Sequence, residues 1–220
     1  MIKAALFDLD GVVVDSESQY TKFWGSQFQL YYPQEKGLEH RIKGMTLVEI
    51  FSSYFNGQAE TQKAITDRLN EFERRMSYDY IAGFQDFIKK VKEVFWATAI
   101  VTSSNQQKMT NVFRCHPELG DYFDAVLTSE DFDKSKPDPD GYLKAAQRLH
   151  ILPNECIGFE DSINGVKALN AAKMFVVGLA TTNQPEALKP WCNLIVDDFT
   201  HLDLNVLLAE QSEFSMPSYY

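Results

Sequence analysis

The chain has 220 residues, 45% of them hydrophobic and 24% charged, with 31 acidic against 21 basic side chains and a net charge of −10. This is the composition of a soluble globular protein of one or two domains. The acidic balance argues against a nucleic-acid partner, which would need a basic face, but a local site can still be positive enough for a phosphorylated substrate. The chain starts directly with a strand, without a basic and apolar leader and without a run of about 18 apolar residues, so neither export nor membrane spanning is expected. Cys115, Cys156 and Cys192 are widely spaced and lack metal-binding spacing, which suits reduced thiols in a cytoplasmic protein.

The first element is the apolar run Ala4 to Phe7. It has strand length and no polar alternation, the pattern of a strand buried on both faces. It ends in Asp8-Leu9-Asp10-Gly11, where Gly11 permits a sharp turn. Val12-Val13-Val14 reads as a further β-prone piece. The composition then changes. Glu17 to Gln29 reads as a helix with Tyr20, Phe23, Trp24 and Phe28 on one face, and Tyr31-Tyr32-Pro33 stops it. Arg41 to Thr46 is a small basic loop. Leu47 to Phe55 and Glu60 to Tyr78 read as two more helices, the second with Arg68, Arg74 and Arg75 among acids on a solvated face. This block lacks a strand–helix rhythm, so residues 15–83 read as a helical insertion.

The rhythm begins after Gly83. Helices are expected over Phe84 to Val94, Gln106 to Cys115, Pro139 to Leu149 and Gly165 to Ala171. Strands are expected at Ala97 to Val101, Ala125 to Thr128, Cys156 to Phe159, Phe175 to Val177 and Leu194 to Val196. Alternation of this kind predicts an α/β fold with a doubly wound, Rossmann-like parallel sheet formed by residues 1–14 and 84–220. Gln211 to Tyr220 has no period and reads as a frayed end.

Three of these strands end in polar residues of complementary chemistry: Asp8 and Asp10, then Thr102, then Glu160 and Asp161. A loop adds Lys136-Pro137. In a parallel sheet such ends lie along one edge, where ligands bind. Taken singly, the acids could be solvated turn residues or favourable charges at a helix N-terminus. Together the four acids carry −4 against +1 from Lys136. Two like charges about 4 Å apart repel by roughly 4 kcal/mol at an effective dielectric near 20. A cation is therefore expected among them, and a few hard oxygen ligands suit Mg²⁺.

Asp8-Leu9-Asp10-Gly11-Val12, Thr102, Lys136-Pro137 and Gly158-Phe159-Glu160-Asp161-Ser162 together resemble the four motifs of the haloacid dehalogenase superfamily. The resemblance covers nearly the whole chain, including the insertion point of a helical cap. Within the superfamily it is similar to the β-phosphoglucomutase-like phosphatases of sugar and polyol phosphates. It implies a cytoplasmic Mg²⁺-dependent phosphatase, here expected as a monomer, acting on a small phosphate ester. Asp8 would be the nucleophile that becomes an aspartyl-phosphate, and Asp10 the acid and base. Thr102 and the Ser103 backbone would hold phosphoryl oxygens, and Lys136 would neutralise charge. Mg²⁺ would sit on Asp8, the Asp10 carbonyl and Asp161, with Glu160 directly or through water. Arg41, Lys43 and Thr46 are candidates for cap contacts to substrate. The family often has proline before the glycine at the cap's return, where this chain has Ala82.

Two other classes fit less well. A receiver module would carry its phospho-acceptor on a later strand and would not need the insertion. A dehalogenase would not need Asp10. Against a β-phosphoglucomutase stand two departures: Tyr20 where those mutases carry a cap histidine, and Leu47 where they carry an arginine that grips the second phosphate. A phosphatase is therefore expected.

Overall fold

The computed structural model describes residues 2–94 and 96–214. Six strands form one wholly parallel sheet: β1 (Ala4–Phe7), β2 (Ala97–Val101), β3 (Ala125–Leu127), β4 (Cys156–Glu160), β5 (Phe175–Leu179) and β6 (Leu194–Val196), in the order β3-β2-β1-β4-β5-β6. The helical block contributes α1 (Glu17–Tyr31), α2 (Leu38–Arg41), α3 (Leu47–Tyr54) and α4 (Ala59–Arg75). The remaining helices are α5 (Phe84–Glu93), α6 (Gln106–Cys115), α7 (Leu119–Tyr122), α8 (Asp140–Arg148), α9 (Ile163–Ala171), α10 (Pro185–Leu188) and α11 (Leu204–Phe214). No helix among the described residues is long and apolar enough to cross a membrane.

Alternation along the strands divides the core into two layers. Ala5, Phe7, Ile100, Ile157, Phe159 and Val177 pack with Phe84, Phe87 and Val91 of α5 and Met109 and Val112 of α6. Ala4, Leu6, Ala99, Val101, Cys156 and Val176 pack with Tyr142 and Ala145 of α8 and Val166 and Leu169 of α9. Phe7 lies opposite Ile100 on one side and Phe159 on the other. Its ring stacks on Phe159 at 4.6 Å between centroids, with Phe84 and Phe123 edge-on at 6.0 and 5.7 Å. This packing fixes the end of β1 against the end of β4, where the strand order reverses and a crevice opens.

The helical block has its own apolar core, in which Phe23, Trp24, Phe28, Ile50, Phe55, Ile65 and Leu69 are buried. Its two connections run side by side: Asp15 N donates to Asp79 O at 2.7 Å, and Ile81 N to Val13 O at 3.1 Å. Met76, Tyr78 and Ile81 pack with the sheet-side cluster, so α4 ends at Arg75 rather than at Tyr78.

Val12 and Val13 lie in a tight turn, and Val14 makes isolated β-bridges to Asp10 and Tyr80 instead of entering a strand. Val13 N and Val14 N both donate to Leu9 O, at 2.8 and 3.0 Å, with Gly11 at a φ of +76°. All three valines are fully buried, so their branched side chains fill the core. The apolar patterning also left α2, α7, α10 and α11 unread. The tail expected to fray from Gln211 is helical to Phe214, and the rest of it lies outside the described residues.

Gly83 closes the return from the helical block with a φ of +77°, and a Cβ there would lie 2.5 Å from Thr200 N and 2.6 Å from the Phe199 carbonyl carbon. Gly83→Ala is expected to cost about 3 kcal/mol, from left-handed strain plus a backbone clash. Gly57→Ala, at a φ of +73° in open space, should cost about 1 kcal/mol from strain alone. Urea midpoints at constant m-value would measure both; equal losses would contradict the clash.

Candidate active site

The strand ends converge as the polar residues suggest. Asp8 follows β1 directly, its N–H bonded to Phe159 O at 3.0 Å. Lys136 arrives from the β3–α8 connection and is buried. Its Nζ lies 2.7 Å from Asp8 Oδ1, 2.6 Å from Glu160 Oε1 and 3.1 Å from Val101 O. Tyr142 of α8 donates to the same Glu160 oxygen at 2.7 Å. The other Glu160 oxygen accepts from Asp161 N, Ser162 N and Ser162 Oγ at 3.0 to 3.2 Å. Glu160 thus anchors the lysine and the turn into α9 at once.

The electrostatics follow from burial. The Asp8 carboxyl is pushed up to about 7, first by burial and then by Glu160 and Asp10, against the opposing pull of Lys136. Asp161 is pushed well above the usual carboxylate range by burial, Glu17, Glu160 and Asp8. Burial works against the Lys136 ammonium, but Asp8 and Glu160 outweigh it and raise its pKa above the ordinary value. Asp8, Glu160 and Asp161 offer oxygens that all lie within 4.8 Å of one another. Asp161 Oδ2 is buried beside the Thr182 hydroxyl but makes no well-formed hydrogen bond. A buried, unpartnered acceptor among carboxylates is costly without a counter-charge, and all-oxygen donors suit a hard divalent cation. The residues present fit such a cation. With Glu160 already accepting five hydrogen bonds, Asp8 and Asp161 are the carboxylates best placed to hold it.

Asp10 has its own set of partners. Its carboxylate accepts the Ser16 hydroxyl, the Ser104 hydroxyl at 3.0 Å, and Lys108 Nζ at 2.5 Å to each oxygen. Thr102 is buried at the end of β2, and its hydroxyl accepts from Ser104 N at 3.0 Å. Between sheet edge and helical block lies a cavity of about 720 Å³ lined by Asp8, Asp10, Thr102, Ser103, Lys136 and Asp161 from below.

From above, Lys43 and Thr46 line the same cavity. The Lys43 ammonium pairs with Glu17 at 3.4 Å. Thr46 is the N-cap of α3: its N–H donates to Glu49 Oε2 at 2.8 Å and its hydroxyl accepts from Glu49 N at 3.3 Å. The Ser103 hydroxyl donates across to Gly44 O at 3.1 Å, tying the cap loop to the β2 end. Arg41 lies outside the cavity lining. It is exposed at the end of α2, where Leu38 and Ile42 take the buried side.

Sequence reading missed Lys108, Ser16, Ser104 and Glu17. Lys108 was the most accessible of these. It stands one turn into α6, just after the Thr102-Ser103-Ser104 strand end, on the same stripe as the buried Val112. A lysine on an apolar stripe beside a strand end signals a buried ion pair.

The chain belongs to the haloacid dehalogenase-like hydrolases, whose family model matches residues 5–179. It is thus an enzyme of hydrolase type. Among curated proteins it is 27% identical to a validoxylamine A 7′-phosphate phosphatase of Streptomyces hygroscopicus subsp. limoneus, over 92% of this chain and 96% of that one. It is also 27% identical to a β-phosphoglucomutase of Bacillus subtilis, over 97% of each chain. A β-phosphoglucomutase structure from Clostridium difficile shares the fold, with a TM-score of 0.83, 24% identity and coverage of 97% of this chain and 99% of that one.

The raised Asp8 pKa sets a pH dependence. A carboxyl whose folded pKa is about 7 against an ordinary 3.8 favours folding fully below the ordinary value, and that contribution is lost as pH rises toward 7. A bound cation offsets this loss. The Mg²⁺-induced rise in Tm is therefore expected to grow between pH 5 and pH 8. Thermal melts with and without MgCl₂ check this, and an equal shift at both pH values would contradict it.

Proposed function

We propose that this chain is a Mg²⁺-dependent phosphomonoesterase for a small phosphorylated metabolite, a sugar or polyol phosphate, working through an aspartyl-phosphate on Asp8. The observation that carries the reading is the buried Asp8–Lys136 pair at 2.7 Å beside the unpartnered Asp161 oxygen. Asp8 attacks phosphorus, and the ester oxygen departs with a proton from Asp10. Water then attacks the same phosphorus and gives its proton to Asp10, the bond to the Asp8 oxygen breaks, and inorganic phosphate leaves. Lys136, oriented by Glu160, stabilises charge on the transferring group throughout, and Thr102 with the Ser103 backbone N–H holds its oxygens. Mg²⁺ held by Asp8, Asp161 and the Asp10 carbonyl, with Glu160 behind them, would supply the remaining charge neutralisation.

We take residues 15–83 as the cap and residues 1–14 and 84–220 as the catalytic core. Hinges near Val14-Asp15 and Ala82-Gly83 let the cavity admit substrate and then exclude water. The paired hydrogen bonds at those connections support this division. Lys43 is the cap residue best placed to meet the substrate.

Water as final acceptor is favoured over a second hydroxyl of the same sugar. No arginine is among the described residues that line the cavity, its cap lysine is paired with Glu17, and Leu47 lines the wall. A second phosphate would find no bidentate clamp there. Tyr20 spends its hydroxyl on Glu73 at 2.8 Å. The relatives named as phosphatases, including a fructose-1-phosphate phosphatase of Escherichia coli at 27% identity over 78% of this chain and 93% of that one, agree with this reading.

Asp8→Asn is expected to lower kcat by about 10⁴-fold or more without loss of folding, and phosphate or BeF₃⁻ trapping on the wild type should label Asp8. Full activity in a folded Asn variant would refute the nucleophile. A screen of sugar, polyol and nucleotide phosphates in Mg²⁺ identifies the substrate, and Ca²⁺ should inhibit because its looser coordination misplaces Asp8. With β-glucose 1-phosphate and a trace of glucose 1,6-bisphosphate, free phosphate is expected to outpace glucose 6-phosphate. The reverse order would establish a mutase.

A further inference from the structure

Asp10 is held by a cation to which the proposed chemistry gives no role. Lys108 belongs to the core, one turn into α6, and is 1% exposed. Its backbone is fixed by the helix cap, since the Asn105 side chain accepts from Lys108 N at 2.9 Å. Its ammonium lies 2.5 Å from both Asp10 oxygens and 3.0 Å from Ser104 Oγ. Above it sits the cap: the Tyr20 ring centre is 4.3 Å from the ammonium. Tyr20 comes from α1, and its hydroxyl is anchored on Glu73 of α4 at 2.8 Å. A buried ammonium needs a carboxylate and further polar or π partners. Lys108 draws the carboxylate and a hydroxyl from the core and the π face from the cap.

The geometry distinguishes Lys108 from the other partners of Asp10. The Ser16 and Ser104 hydroxyls each meet one carboxylate oxygen and can rotate. Lys108 is buried, rises from a capped helix and meets both oxygens at the same 2.5 Å, so it holds the carboxylate as a whole and carries its counter-charge. We propose that Lys108 is the positioning residue for Asp10, and that the Tyr20–Glu73 pair holds the ammonium in place while the cap is seated on the core. The proposal rests on the reading of Asp10 as the acid for the leaving group. Proton donation matters most when the leaving oxygen is basic. Loss of Lys108 should therefore hurt poor leaving groups more than good ones, a pattern that general damage to the site does not produce.

The test measures kcat/KM in Mg²⁺ for a series of substituted phenyl phosphates, from phenyl to 4-nitrophenyl, with wild type, Lys108→Met, Tyr20→Leu and Asp10→Asn. Circular dichroism checks folding. Wild type should show a shallow dependence on leaving-group basicity, and Asp10→Asn a steep one. Lys108→Met should lose at least about tenfold more on phenyl than on 4-nitrophenyl phosphate, and Tyr20→Leu should lose in the same direction by less. If Lys108→Met does not fold, Tyr20→Leu carries the test. A steep series for Asp10→Asn with a parallel fall or a rise for Lys108→Met, or for Tyr20→Leu in its place, overturns the proposal alone. A flat series for Asp10→Asn overturns the reading of Asp10, and the proposal with it.

Discussion

Like charges buried at the ends of parallel strands are the constraint on which the rest of this structure depends. Asp8, Glu160 and Asp161 lie within reach of a single cation and are almost wholly removed from water. The fold answers with one lysine and a dense set of donors. Lys136 bridges two of the three acids, and Tyr142 and the N–H groups at the start of α9 complete Glu160. What is left over is an Asp161 oxygen without a hydrogen bond, at the edge of the acid cluster that could hold a cation.

The aromatic core serves the same constraint. Phe7 and Phe159 stack between β1 and β4, one residue before Asp8 and one before Glu160. Close packing in the layer beneath holds the two carboxylates at a separation that their repulsion opposes. Packing energy of this kind is non-directional, but delivered through rigid rings in register it fixes direction as well.

The second acid, Asp10, belongs to a different electrostatic unit. It is surrounded by Lys108, Ser16 and Ser104, with Glu17 and the Tyr20–Glu73 pair of the cap close by. The two acids of one short turn, Asp8-Leu9-Asp10, therefore have separate environments. Asp8 is tied to the core alone, whereas the surroundings of Asp10 are shared between core and cap. The Ser103–Gly44 and Asn164–Lys43 contacts, at 3.1 and 3.4 Å, seat the cap loop directly on the motif loops. Cap position and the surroundings of Asp10 are thus parts of one arrangement.

Much of this was legible in the sequence because it is encoded locally. Buried parallel strands are continuous apolar runs, and their ends are marked by the residues that follow. The six strands, the helical insertion and the convergence of Asp8, Asp10, Thr102, Lys136, Glu160 and Asp161 could be read from period and order along the chain. Local reading was least decisive where burial and propensity coincide: Val12 to Val14 are β-prone because they are branched, yet they fill the core at a turn, and only Val14 makes isolated β-bridges. Arg41, read from its basic loop as a candidate cap contact, is exposed at the end of α2 and does not line the cavity. Only the tertiary structure decided which partners each acid receives. Lys108 lies 98 residues from Asp10 and Glu73 lies 53 from Tyr20. Such pairings depend on how α6 meets the sheet edge and how the cap settles on it. Periodicity assigns a residue to a face, but the partner waiting on the facing element is set by packing between elements remote in the chain.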